Sequence, residues 1–281
     1  MTYLTSIILG FVQGVSEFLP ISSSGHLSIM QHLMGMRAVA QQDALFEVLL
    51  HLGTLIAVFI VYWRDIVDMV KDFWGFLVGI VKGRNSKTPA RTTTNSRMAL
   101  MIIVATLPLV LVIPIKEHVE SLYGSTMFIG CALIATGFIL FFSDRLKQGK
   151  KTARNATMID ALVVGCGQAV AVVPGLSRSG TTISVGMMRG FDRKFAVRFS
   201  FLMSIPAIVG ANILEVAEAV KVGVDAQTAS MYIVGMVVAA VFGYASIRVI
   251  HILAEKGKFG KFAYYCWAVG VIAIIVTLFR G

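Results

Sequence analysis

Charge is scarce in this chain. Charged residues fill 14% of its 281 positions, whereas hydrophobic residues fill 57%. Soluble domains carry about 25% charged residues, so this composition excludes an ordinary soluble protein. Several apolar runs of about 18 or more residues are long enough to cross a bilayer as helices. We therefore predict an all-α polytopic membrane protein with a single integral membrane domain over residues 1–281.

Cysteine and the common soluble-enzyme motifs are equally sparse. The cysteines are few and scattered in apolar segments, which excludes a disulfide framework and a cysteine metal site. They are Cys131, Cys166 and Cys266. The sequence has no Walker loop, dinucleotide fingerprint or Cys/His metal motif. The N-terminus has no cationic start before its apolar run, so we expect no cleaved signal peptide.

Positive charge is concentrated in a few loops. The net charge is +10, and the basic loops are 82–97, 144–157, 189–194 and 254–261. Lys and Arg accumulate in cytoplasmic loops, so the charge reflects topology and we expect no nucleic-acid partner. The loops 36–44, 116–124 and 215–228 are poorer in positive charge. The predicted spans are 45–63, 98–115, 125–143, 195–214, 229–253 and 262–279, and residues 64–82 are predicted to be interfacial.

Two stretches cannot be spans if the basic loops and the loops poorer in positive charge are to lie on opposite sides of the membrane. Residues 2–35 and 158–190 each contain two apolar pieces, too short to cross a bilayer, on either side of a polar cluster. Every basic loop is cytoplasmic only if the first stretch enters and leaves from the outside and the second from the cytoplasm. We predict two re-entrant hairpins from opposite faces. Their tips should bury against each other, because irregular backbone inside a membrane must be shielded from lipid.

The two hairpins share sequence at an offset of 155 residues. The identical pairs are Gly10/Gly165, Gln13/Gln168, Val15/Val170, Ser22/Ser177, Ser24/Ser179, Gly25/Gly180 and Gly35/Gly190. Each half, 1–143 and 158–281, is predicted to hold one hairpin followed by three spans. Three spans reverse the chain direction, so the second half is inverted relative to the first. Inverted repeats place the substrate site near the midplane, where broken helices meet.

The tip of the second hairpin has the residues of an anion site. It reads P-G-L-S-R-S-G-T-T and precedes a short predicted helix. A helix N-terminus offers unpaired N–H groups, and Arg178 adds a planar fork that matches a phosphate. An arginine at this depth indicates a functional site; an arginine that reaches back to the interface is the alternative. The predicted phosphate ligands are Ser177, Ser179, Gly180, Thr181 and Thr182.

The tip of the first hairpin has candidate bases and nucleophiles. Glu17 could bind a hard cation or act as a general base, and His26 could be a base, an acid or a nucleophile. Ser23 could be a nucleophile activated by either. Taken singly, each has a structural explanation, but facing an anion site they favour catalysis. Ser22 and Ser24 line the turn as further phosphate ligands.

Three further residues are predicted to support this site. Gln13 is four residues before Glu17, so both lie on one helix face. Glu47 and His51 are also four apart, near the outer end of a predicted span. They form either a packed pair or a support for the catalytic side chains.

Both tips resemble the motifs of the bacterial undecaprenyl-diphosphate phosphatases of the bacitracin-resistance type. The family patterns are [E/Q]-G-x-x-E-F-L-P-x-S-S-x-G-H and P-G-x-S-R-S-G-x-T. Here they stand as Q-G-V-S-E-F-L-P-I-S-S-S-G-H and P-G-L-S-R-S-G-T-T. The resemblance extends over the whole chain in length, span pattern and hairpin placement. It implies hydrolysis of undecaprenyl diphosphate to undecaprenyl phosphate and inorganic phosphate, which recycles the carrier for cell-wall synthesis and confers bacitracin resistance.

The resemblance also implies which residues act. Glu17, Ser23, His26 and Arg178 match the family's catalytic set, and Glu17 is the implied ligand of a divalent cation, Mg²⁺ or Ca²⁺. Some members have Glu where this chain has Gln13, and a neutral amide cannot serve as a base. The nucleophile stays open between Ser23, His26 and a metal-activated water.

The resemblance implies a location in the bacterial cytoplasmic (inner) membrane, with the active site toward the periplasm. The implied partners are a polyprenyl diphosphate lipid and the surrounding membrane lipids, and the prenyl chain should lie in an apolar groove between spans. Whether the chain forms a homodimer stays open. A secondary transporter or lipid flippase for a phosphate-bearing substrate is the alternative function, because opposed hairpins in inverted repeats are also transporter architecture.

Overall fold

The computed structural model describes residues 1–35, 40–82, 93–219 and 225–280. Regular structure in these ranges is helical, apart from one isolated β-bridge between Lys151 and Phe191. The predicted loops 36–44, 82–97 and 215–228 fall partly outside the described residues. The helices are α1 (Tyr3–Phe18), α2 (Ser23–Leu33), α3 (Ala40–Lys82), α4 (Thr94–Thr106), α5 (Lys116–Ser121), α6 (Thr126–Asp144), α7 (Met158–Val170), α8 (Arg178–Met188), α9 (Arg193–Ala219), α10 (Ala226–Glu255) and α11 (Lys261–Arg280).

Six helical segments of the described chain are long and apolar enough to cross a membrane. They are Leu45–Ile80, Thr94–Gly124, Thr126–Asp144, Arg193–Ile213, Ala226–Glu255 and Lys261–Phe279. Each predicted span overlaps one of these segments. The prediction of a multi-pass helical membrane protein is therefore confirmed.

The segment 64–82 is not a separate element. It forms the second half of α3, after a kink at Tyr62 (φ −107°, ψ 19°). At about 1.5 Å per residue, α3 is about 65 Å long, roughly twice the thickness of a bilayer core. A large part of this helix must therefore lie outside the hydrocarbon region.

The predicted span 98–115 lies within the segment Thr94–Gly124, but it is not one continuous α-helix. Helix α4 ends at Thr106, and a 3₁₀ segment continues over Leu107–Ile115. Pro108 and Pro114 lie in that segment, and proline can supply no N–H to an α-helical ladder. The predicted loop 116–124 is likewise helical, with α5 followed by a 3₁₀ turn over Leu122–Gly124.

The helix boundaries in the two hairpins repeat at the spacing seen in the sequence. Helices α1 and α7 begin 155 residues apart, and α2 and α8 both begin and end 155 residues apart. Thr2 caps α1 by accepting from Thr5 N, and Thr157 caps α7 by accepting from Asp160 N. The same capping chemistry at the same spacing gives the two short helix pairs a common backbone plan.

Each hairpin packs closely against another helix through an equivalent glycine. A Cβ at Gly10 of α1 would collide with the carbonyl oxygen of Gly235 in α10. A Cβ at Gly165 of α7 would collide with the carbonyl oxygen of Ala105 in α4. Only glycine permits this backbone approach at these two positions. Each hairpin therefore lies in close contact with a helix from the other half of the chain.

Candidate active site

The two hairpins meet at their tips through two reciprocal hydrogen bonds. Ser24 Oγ accepts from Gly175 N at 3.4 Å, and Ser179 Oγ donates to Leu19 O at 3.3 Å. Ser24 and Ser179 are 155 residues apart, and Leu19 and Gly175 are one residue out of that register. The contact predicted between the tips is present.

Glycines make this contact close. A Cβ at Gly25 would lie 3.2 Å from Gly175 Cα, and a Cβ at Gly180 would lie 3.2 Å from Pro20 Cβ. Both spacings are tighter than ordinary packing allows without a shift. The tips therefore exclude larger side chains where they touch, and this closeness brings the polar residues of both together.

Both short inner helices begin with a serine cap at the site. Ser22 Oγ accepts from Gly25 N at 3.2 Å to start α2, and Ser177 Oγ accepts from Gly180 N at 3.1 Å to start α8. Thr136 of α6 fixes the second tip, because its hydroxyl donates to Gly175 O and accepts from Ser177 N. The positive ends of two helix dipoles thus lie on either side of the tip contact.

Glu17 is the centre of the site. Its side chain is buried, with one oxygen in a salt bridge with Arg178 from the opposite tip. The other oxygen accepts hydrogen bonds from Ser23 Oγ at 2.6 Å and from Gln13 Nε2 at 2.9 Å. The structure therefore brings together three of the four predicted catalytic residues. The Ser23 hydroxyl points its proton at a carboxylate, which is the geometry of a nucleophile next to a base.

His51 lies beside this carboxylate, whereas Glu47 contacts a different side chain. His51 Nδ1 is 3.0 Å from Gln13 Nε2 and 3.6 Å from Glu17 Oε2. Glu47 Oε1 accepts a hydrogen bond from Gln31 Nε2 at 2.8 Å. Of the two, His51 is the residue that reaches the catalytic side chains.

His26 lies in a separate part of the site. Its Nδ1 is 2.7 Å from Ser22 O, and its Nε2 is 2.8 Å from the Tyr265 hydroxyl of α11. The group that accepts from the Ser23 hydroxyl is therefore Glu17 and not His26. No local signal in the sequence pointed to Tyr265, which lies in an ordinary apolar span.

The predicted phosphate ligands differ in how many of their donors are free. Thr182 Oγ1 is already hydrogen-bonded to Arg178 O at 2.8 Å and to Ser200 Oγ at 2.6 Å. Thr181 Oγ1 is buried and has no partner among the described residues. Of this pair, Thr181 has the spare donor, whereas Thr182 ties α8 to α9.

Ion pairs between side chains hold the second hairpin together at the end away from its tip. Asp160 is fully buried at the start of α7 and accepts from Lys151 Nζ at 2.8 Å and from Arg189 Nε at 2.9 Å. Burial by itself raises the pKa of a carboxyl, but the hydrogen bonds from Lys151, Thr157 and Arg189 outweigh burial. They hold the pKa of Asp160 well below its ordinary value.

Oxygen donors for a hard cation are few but present. The described residues contain no group of three His, Cys, Asp or Glu side chains placed to hold a metal ion. Gln13 Oε1 is buried without a partner among those residues, one helical turn from the Glu17 carboxylate. Mg²⁺ is usually bound by one or two protein oxygens together with substrate phosphates, so this donor set fits such an ion.

The fold and the site define a class: a multi-pass membrane protein with a buried glutamate, serine and arginine between two short helix pairs. Within that class the chain belongs to one family, because the family model described as "Bacitracin resistance protein BacA" matches residues 6–272. The family predicted from the two tip motifs is confirmed.

Relatives of known name match over nearly their full length. The undecaprenyl-diphosphatase of Alkaliphilus metalliredigens is 40% identical, over 99% of this chain and 100% of that protein. That of Methanosphaera stadtmanae is 38% identical over 98% of each chain, and that of Halothermothrix orenii is 37% identical over 96% of each.

Proposed function

We propose that this protein hydrolyses undecaprenyl diphosphate to undecaprenyl phosphate and inorganic phosphate. The observation that carries the proposal is the contact of Glu17 with both Ser23 and Arg178 across the two tips. The names of the full-length relatives support the substrate. In this role the protein recycles the lipid carrier for cell-wall synthesis and protects against bacitracin.

The geometry favours Ser23 as the nucleophile among the three candidates. Ser23 Oγ attacks the terminal phosphorus while Glu17 Oε2 takes its proton. The bond from phosphorus to the bridging oxygen breaks, and undecaprenyl phosphate leaves with that oxygen. Water then hydrolyses the phosphoserine and releases inorganic phosphate. Proton transfer over 2.6 Å needs no movement of either side chain.

Arg178 holds the phosphate and stabilises its developing charge. Its guanidinium is paired with Glu17 before substrate arrives, so it is positioned in advance. When a phosphate oxygen takes over some of its N–H donors, Glu17 is left with fewer donors and becomes a better proton acceptor. Substrate binding thereby activates the base.

A divalent cation, Mg²⁺ or Ca²⁺, completes the proposal. The Glu17 carboxylate and Gln13 Oε1 would hold it together with the diphosphate, and the ion would supply positive charge next to the leaving phosphate.

The site opens toward the periplasmic face of the cytoplasmic membrane in this proposal. The support is the basic character of the loop 144–157 and the turn near 189–194, which the positive-inside rule places in the cytoplasm. Helix α1 has 16 residues, about 24 Å, and α7 has 13, so neither spans a bilayer core of about 30 Å. Two opposed re-entrant hairpins in inverted halves account for both facts.

An apolar groove is available for part of the prenyl chain. It has a volume of about 420 Å³ and lies between α3, α4 with its 3₁₀ extension, and α9. Phe73, Val110 and Leu202 are among its lining residues. A branched hydrocarbon chain gains free energy there by the same burial that packs a protein core.

The test is phosphate release by the purified protein in detergent, with undecaprenyl diphosphate and Mg²⁺. We expect release by the unaltered protein and a loss of at least about 1000-fold in Ser23→Ala, because the nucleophile is removed. Mass spectrometry of the protein, quenched during turnover and digested, should show a phosphorylated peptide that contains Ser23.

Ser28→Ala is the matched control, since Ser28 is on the same helix and its hydroxyl donates to Tyr123 O away from the site. Turnover by Ser23→Ala at the normal rate would exclude Ser23 as the nucleophile. No phosphate release by the unaltered protein, together with lipid movement in liposomes, would establish the transporter or flippase alternative instead.

A further inference from the structure

The imidazole of His26 is fixed at both nitrogens. Nδ1 lies 2.7 Å from the carbonyl oxygen of Ser22, and Nε2 lies 2.8 Å from the Tyr265 hydroxyl. The two rings are stacked, with centroids 5.6 Å apart and planes 9° apart. A ring held at both ends in this way has a single orientation.

The hydrogen-bond partners define which nitrogen carries the proton. A carbonyl oxygen can only accept, so Nδ1 carries a proton. The Tyr265 hydroxyl donates to Nε2 when the ring is neutral and accepts from Nε2 when the ring is protonated. In the neutral ring these contacts select one tautomer, in which Nε2 accepts the tyrosine proton.

The backbone around Ser22 is arranged for this contact. Ser22 has φ 72°, a left-handed conformation that non-glycine residues seldom adopt. The equivalent residue of the other tip, Ser177, has an ordinary φ of −78°. Strain of this kind persists where surrounding contacts demand it, often at functional sites. Here it coincides with a carbonyl that accepts from the His26 ring.

Helix α11 is attached to the first tip at two successive residues. Tyr265 binds His26, and Cys266 Sγ lies 3.6 Å from Pro20 O. His26 is three residues after Ser23 on α2, so the two side chains lie on neighbouring positions of one face. A residue of the last helix therefore contacts a side chain that lies one helical turn from Ser23 on α2.

We propose that Tyr265 is a positioning residue for His26: its hydroxyl holds the imidazole in the Nδ1–H tautomer and keeps Nε2 unprotonated and oriented for the phosphatase reaction. The proposal rests on the proposed function for its catalytic consequence, but its structural content can be measured without activity. Tyr265 is 44% exposed, so its ring is not enclosed by neighbouring side chains.

The test compares Tyr265→Phe with Tyr264→Phe. Phenylalanine keeps the stacked ring and removes only the hydroxyl. Tyr264 is the neighbouring tyrosine of the same helix, and its ring packs on Phe141 and Trp267. Diethyl pyrocarbonate modifies unprotonated histidine nitrogens, and the rate at His26 is followed by mass spectrometry. The exposed His118 serves as an internal reference.

We expect His26 to be modified about 5-fold faster in Tyr265→Phe, because one hydrogen bond to Nε2 is lost. Tyr264→Phe should leave the rate unchanged. In the phosphatase assay, Tyr265→Phe should lower kcat about 5- to 10-fold with KM nearly unchanged, and it should cause no further loss when combined with His26→Gln.

Equal modification rates at His26 in all three proteins would overturn the proposal, whatever the activity. A Tyr265→Phe protein whose kcat is normal, or whose loss adds fully to that of His26→Gln, would also overturn it. If the unaltered protein released no phosphate, the proposed function would fail, while faster modification in Tyr265→Phe would still establish the contact.

Discussion

The two hairpin tips share their helix boundaries and serine caps, but they differ in the chemistry of their other side chains. Caps, contacts and helix boundaries recur 155 residues apart, as in Ser22 and Ser177 or in Ser24 and Ser179. The side chains that act do not recur. At this offset, Val172 stands opposite Glu17, Arg178 opposite Ser23, and Thr181 opposite His26. One tip has the Glu17 carboxylate and the Ser23 hydroxyl that donates to it, and the other has the positive charge of Arg178.

This division has a physical reason. Two acidic tips would repel each other at close range, and two basic tips would repel both each other and a bound cation. A negative tip facing a positive one forms a pair that a membrane interior tolerates, because neither charge is left alone. The two similar hairpins therefore contribute two complementary halves of one site, and not two copies of the same site.

Of the changes that test this difference between the tips, removal of Arg178 should have the largest effect on activity, because it removes the charge that distinguishes the second tip from the first. In Arg178→Ala the second tip loses its charge, and Glu17 is left buried without its partner. We expect phosphate release to fall about 100- to 1000-fold, since the group that stabilises transition-state charge is gone. Arg154→Ala, at an exposed loop position, should retain full activity. Normal turnover by Arg178→Ala would mean that the two tips do not share one reaction.

A milder pair of substitutions tests whether the close packing between the tips is equivalent in the two hairpins. Gly25→Ala and Gly180→Ala each place a methyl group equally close to the opposite tip, at 3.2 Å from Gly175 Cα and 3.2 Å from Pro20 Cβ, respectively. Each should lower the unfolding free energy by about 1–3 kcal/mol, as overpacking does.

The measurement is the thermal midpoint in detergent, and the two losses should agree within about 1 kcal/mol. Ala substitution at Gly75, where an added Cβ meets no atom within 4 Å, is the control. A large loss in one tip and none in the other would show that the contacts are equivalent in distance but not in rigidity.

The smallest effect concerns a difference between the hairpins at the ends away from their tips. Asp160 occupies the position that Thr5 has in the first hairpin, so a carboxylate holds this end together only in the second hairpin. Its lowered pKa means that its stabilisation is complete above the unfolded value of about 3.9 and is lost as the pH falls below it.

Asp160→Asn should therefore lower the thermal midpoint at pH 7 by an amount that corresponds to about 1–2 kcal/mol, since both cationic partners can still reach water. The difference from the unaltered protein should shrink below pH 4. A constant difference across this pH range would show that packing, and not charge, closes the second hairpin.

Much of the site could be predicted because its residues are unusual for their surroundings. Glu17 and Arg178 are ionised groups in apolar sequence, and Ser23 lies in a dense polar cluster. Thr136 and Tyr265 could not be found in this way. Each lies in an ordinary apolar helix, and its role depends on a partner far away in sequence: Tyr265 is 239 residues from His26.

The sequence by itself determined the class of protein, the six spans and the two polar tips, because apolar length and charge placement act locally along the chain. Only the tertiary structure decided which carboxylate oxygen accepts from Ser23, that Glu17 rather than His26 accepts that hydrogen bond, and that α11 contacts the site. These facts depend on side-chain packing between distant segments, and no local pattern encodes distances between atoms that meet only when the chain is folded.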